Sequence, residues 1–137
     1  MMIKNYYFLI VGILSILFSF THGWFGQTTV LSLIDASNLD LTTKTAIFYT
    51  WHISTAENFM IGIAFFIMAY YKDIAPVKFA VWFIVSLVVV RYAVFFISTL
   101  FKNISGVKDA IPELVILSIY VSLMILGLKY KATNKRI

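Results

Sequence analysis

Apolar residues run along this chain in four long blocks, roughly 5–25, 46–71, 76–101 and 111–130, separated by shorter stretches that hold all four Asp and many of the Lys and Thr. Each block is about the 20 residues that an α-helix needs to cross a hydrocarbon core of about 30 Å. None alternates apolar and polar positions as a barrel strand does. The pattern predicts an all-α, polytopic membrane protein: a single four-transmembrane-helix bundle occupying 1–137 as one domain. The first block is not followed by a small-x-small cleavage site and is read as a retained helix rather than a signal peptide.

The long connection over 26–45 carries Val30, Leu31, Leu33 and Ile34 and is too apolar for a freely solvated loop. It is expected to lie on the bundle or the headgroups as a lid. Asp40, Thr42 and Thr43 offer N-cap oxygens to the second helix. Pro112 is expected in the first turn of the fourth, where its missing N–H costs nothing.

Composition strengthens the membrane reading. Of 137 residues, 61% are hydrophobic and 12% charged, against about a quarter charged in a soluble domain. Cysteine is absent, so disulfides, thiolate metal sites and cysteine nucleophiles are excluded. The net charge of +5 does not imply nucleic acid, because the basic residues gather at helix ends. It sets orientation instead. Lys4, Lys72, Lys78, Lys129, Lys131, Lys135 and Arg136 fall on one face, against Lys44, Lys102 and Lys108 on the other. By the positive-inside rule the first face is cytoplasmic, which gives an N-in/C-in, multi-pass protein. A bacterial inner (plasma) membrane is the expected location.

Apart from Lys78 and Lys129 at block ends, five His, Glu or Arg residues fall inside the blocks: His22, His52, Glu57, Arg91 and Glu113. Such groups are costly in lipid and need a partner or a purpose. Counting about 1.5 Å per residue from the cytoplasmic ends puts His52 at the outer interface, His22 and Glu113 roughly 6 Å below it, and Glu57 and Arg91 roughly 10 Å below. All five fall in the outer third. Gly12, Ser15, Ser19 and His22 form a small, polar stripe at i, i+3, i+7 and i+10, suited to close helix packing. In the second helix Trp51, Ser54, Thr55, Asn58 and Gly62 share an arc flanked by His52 and Glu57.

The plainer readings are structural. Glu57 and Arg91, at matching depth, make a buried ion pair, or Arg91 reaches the headgroups; Glu113 answers a helix macrodipole; Trp24, Tyr6, Tyr7, Tyr70 and Tyr71 anchor the interfaces. Against these stands the charge count, since Arg91 neutralises only one of the two glutamates. The function expected is binding of a small or lipid-like ligand with acid/base capacity: His52, Glu57 and Glu113 as catalytic groups, Trp51, Asn58, Arg91 and Tyr120 as substrate contacts. One alternative is a haem or metal protein using His22 and His52. Another is an oligomeric proton-coupled carrier or a non-catalytic membrane subunit. The residues name no cofactor. The partners expected are the lipid bilayer, the ligand and, for a carrier, further copies of the chain.

Overall fold

In a computed structural model, residues 2–130 are described, Asp109 by its backbone alone. Lys131, Lys135 and Arg136, part of the inside charge count, lie outside the described residues. The described chain is helical, without strands: α1 (Tyr6–Phe25), a π-helical segment (Gly26–Val30), α2 (Leu31–Ala36), α3 (Leu41–Met68), α4 (Ala75–Lys102), a 3-10 turn (Ile104–Gly106) and α5 (Val107–Lys129). Three stretches are long and apolar enough to cross a membrane: Tyr6–Ala36, Ala75–Lys102 and Ala110–Lys129. The 28 residues of α3 do not qualify. Its stretch 42–57 holds Thr42, Thr43, Lys44, Thr45, Thr50, His52, Thr55 and Glu57.

The expected connection over 26–45 is mostly helix. The backbone runs on from α1 through one wide turn, in which the Leu31 N–H bonds to the Gly26 carbonyl five residues back, and ends at Ala36. The stretch expected as a lid is thus a continuation of α1, with Leu31 fully buried. The Lys44 ammonium donates to the Asp35 carbonyl at the end of α2, where helix carbonyls lack internal partners and attract a cation.

The second long helix begins at Leu41, earlier than its apolar block, because a polar cap starts it. Asp40 accepts from the Thr43 N–H at 3.0 Å and from the Thr43 hydroxyl at 2.6 Å. These bonds, the hydroxyl's first, hold the Asp40 carboxyl below its ordinary range. A depressed folded-state pKa means that the cap's contribution is complete above the unfolded value and is lost as pH falls through the lower, folded one. The intrinsic-rate-corrected protection of the Thr43 amide against hydrogen exchange is therefore expected to drop at acidic pH, and Asp40→Asn to flatten that dependence.

The chain divides into two compact units, the hairpin Leu9–Ile67 and a second unit made of residues 2–8 with 68–130. In the second unit, Asn5 is 1% exposed. Its side chain caps α1 by accepting from the Phe8 N–H at 3.2 Å and donates to the Gly127 carbonyl at 2.8 Å. The Lys4 and Asn5 N–H groups both reach the Ala69 carbonyl, just past the end of α3, and the rings of Tyr7 and Tyr130 meet edge to face. The start of α1, the end of α3 and the end of α5 are thus stitched together.

Here α5 begins four residues before its expected start, which corrects the placing of Pro112. The proline lies inside the helix, where its missing N–H leaves the Lys108 carbonyl without its usual donor. Glu113 accordingly sits beyond the first turn, where the macrodipole has little hold on it. Large apolar side chains of α4 and α5 point outward, Phe79 at 80%, Phe83 at 60% and Ile116 at 66% exposed. In water such surface would cost on the order of 25 cal/mol per Å²; in lipid it costs nothing.

Candidate functional site

The hairpin unit brings α1 and α3 together antiparallel through their smallest residues. A Cβ added at Gly12 would lie 2.8 Å from the Phe66 nitrogen, and one at Gly62 3.0 Å from the Gly12 carbonyl oxygen. No glycine among the described residues has positive φ, so these two serve close approach rather than backbone freedom. Further along, Ser15 and Ser19 are buried, and Ser19 donates to the Thr55 carbonyl of α3 at 2.8 Å. The stripe read from the sequence is therefore the face that meets α3, and Thr55 and Gly62 of the predicted arc receive it.

Near the π segment the contact becomes a polar clasp. The His22 imidazole stacks on the Trp51 indole, with centroids 4.5 Å apart and planes 11° apart. The Trp51 indole N–H donates to the His22 carbonyl at 3.1 Å. Gly26 makes room for that indole, since a Cβ there would fall 1.8 Å from its nitrogen. His22 Nδ1 lies 2.9 Å from the Thr55 hydroxyl, which itself donates to the Trp51 carbonyl at 3.1 Å. With its one proton so used, Thr55 accepts from Nδ1–H, and that assignment follows from the hydrogen count.

Beside the clasp an open groove of about 620 Å³ runs between the helices. Ser19, Phe20, Gly23, Trp24 and Gln27 line one side, and His52, Thr55, Ala56 and Phe59 the other. Its walls are mostly apolar. Phe20 and Phe59 meet edge to face at 6.1 Å, a favoured aromatic geometry. Lys, Arg, Asp and Glu are all absent from the lining. Among the described residues, the side chains of His52 and Gln27 make no hydrogen bond.

The structure thus sorts the residues singled out in the sequence. His52 opens on the groove, whereas His22 and Trp51 belong to the clasp. Glu57 and Asn58 follow on α3, each with interaction partners. Arg91, Glu113 and Tyr120 lie on α4 and α5 in the other unit. No group of three or more His, Asp or Glu among the described residues is placed to hold a metal ion. Gln27 and Phe59 of the groove were not picked out from the sequence, and Thr55, read there only as part of an arc, ties His22 to α3. A signal for the clasp was present: Thr21-His22-Gly23-Trp24 and Thr50-Trp51-His52 each set a His beside or near a Trp. In the hairpin, the first His meets the second Trp, while the first Trp and the second His face the groove.

Helical and without strands among the described residues, with three stretches suited to spanning, the chain has the make-up of a multi-pass membrane protein. Compared with known families, curated proteins and solved structures, it gives no significant match to any of them.

Proposed function

We propose that this is a four-crossing membrane protein, with both termini on the cytoplasmic side, whose α1–α3 groove binds a small or lipid-like ligand near the outer face and presents His52 to it. The observation that carries the reading is the groove itself: apolar, aromatic, open along its length, and holding a titratable imidazole without a hydrogen-bond partner among the described residues. A polar group placed there needs a purpose, and an imidazole can serve as a general acid or base.

The proposed topology is supported by the stitched ends of α1, α3 and α5, since a chain that starts and finishes at one end crosses an even number of times. On that view α3 spans despite its polar stretch 42–57, of which the clasp takes up Trp51 and Thr55. Counted from Met68, His52 lies about 24 Å along α3, roughly 6 Å inside a 30 Å core. That is deeper than the interface position expected from the apolar block, and level with His22. Glu57, about 7 Å further in, is the second acid/base candidate.

A diazirine-bearing fatty alcohol, neutral at its head, photolysed with the purified full chain in nanodiscs, tests the reading. Cross-links are expected to concentrate on peptides carrying Phe20–Gln27 and His52–Phe59, and Ala56→Trp, which fills the groove, is expected to remove them. Labelling spread evenly over the outward faces of α4 and α5 would leave the groove no more than ordinary lipid-facing surface.

A further inference from the structure

The groove's lining specifies the kind of headgroup it takes, and this step rests on the reading of the groove as a ligand site. A carboxylate or phosphate head seated there would meet no Lys or Arg, and an ammonium head would meet no Asp or Glu. Both would give up hydration without an ionic partner in the lining. A neutral head is favoured instead. Gln27 and His52 lie on opposite walls, and both an amide and an imidazole can donate an N–H. With no hydrogen-bond partner among the described residues, the two offer donors to a head that accepts from two sides. Phe20, Trp24 and Phe59 supply ring faces and edges, the geometry that planar rings pack against. Gln27 stands in the π segment, a kind of wide turn frequent at functional sites. The side open to lipid leaves room for a tail.

We infer that the groove binds a neutral, planar, carbonyl-bearing head on an apolar tail, the chemistry of an isoprenoid quinone, with Gln27 and His52 each donating a hydrogen bond to one of its carbonyl oxygens.

Protection against the diazirine label, measured with a decyl-tailed benzoquinone and with decanoate of matched tail length, tests this. The quinone is expected to protect the groove peptides at concentrations at least roughly tenfold lower than decanoate does. His52→Ala and Gln27→Ala are each expected to weaken quinone protection by roughly 3- to 10-fold, the worth of one hydrogen bond, and to leave decanoate protection unchanged. His52→Gln, which retains an N–H donor, is expected to recover part of the loss; it also guards against a misfolded alanine variant. Equal protection by decanoate and the quinone, or indifference to both substitutions, would overturn the inference while leaving the groove a lipid site. Absence of any groove labelling in the unsubstituted chain would overturn both.

Discussion

Gly12→Val is expected to force α1 and α3 apart and to destabilise the hairpin unit by about 3 kcal/mol, the upper end for overpacking a tight contact. The reason lies in what the new atoms would meet. At Gly12 the nearest neighbours of an added Cβ are backbone atoms, the Phe66 nitrogen at 2.8 Å and the Gly62 carbonyl oxygen at 3.0 Å, and backbone cannot swing aside as a side chain can. Helices in lipid gain little from apolar burial and depend on close backbone approach, so the loss is not recovered elsewhere. Gly23 is the control. A Cβ there would lie 3.2 Å from a single methyl group of Thr55, and Gly23→Ala is expected to cost under about 1 kcal/mol. Unfolding of the purified variants in detergent, followed by far-ultraviolet dichroism, measures both.

The second large effect is expected at Gly26. Substitution by Ala places a carbon within 1.8 Å of the Trp51 indole nitrogen, so the ring must leave its seat. The His22 stack and the bond to the His22 carbonyl go with it. Gly26→Ala and Trp51→Ala should therefore cost about the same, on the order of 2–3 kcal/mol, and the double variant little more than either alone, because both remove one interaction. Trp51→Phe, which keeps a ring to stack but loses the N–H, should cost only about 0.6–1.7 kcal/mol. Full additivity of Gly26→Ala and Trp51→Ala would mean that the glycine serves something other than the indole.

Both effects fall on features that the sequence displayed to different degrees. The stripe of Gly12, Ser15, Ser19 and His22 was legible because small residues at helical spacing in an apolar block have few uses besides helix contact. The clasp was half legible: His22 and Trp51 stood out as costly or anchoring groups, but nothing in the spacing said that one would stack on the other. The π segment was not legible. Gly26, Gln27, Thr28 and Thr29 look like the end of a helix to any count of apolar residues, and a wide turn has no pattern of its own; Gln27 was consequently left in a loop. Pro112 misled in the opposite direction, since a proline is usually a boundary and here the helix carries it. The convergence of five ionisable residues was inferred from depth alone, which says nothing of azimuth. Within the hairpin unit, His52 reaches the groove and His22 turns to Thr55.

The groove functions as proposed only if α3 crosses the membrane, and α3 is the one long helix whose composition leaves this open. A single-cysteine measurement decides it, helped by the absence of native cysteine. Asn38→Cys stands in the connection before α3 and Lys72→Cys in the connection after it, both at exposed positions. With a membrane-impermeant maleimide on intact cells, Asn38→Cys is expected to label directly and Lys72→Cys only after permeabilisation. Labelling of both from the same side would mean that α3 does not cross, and would contradict the account.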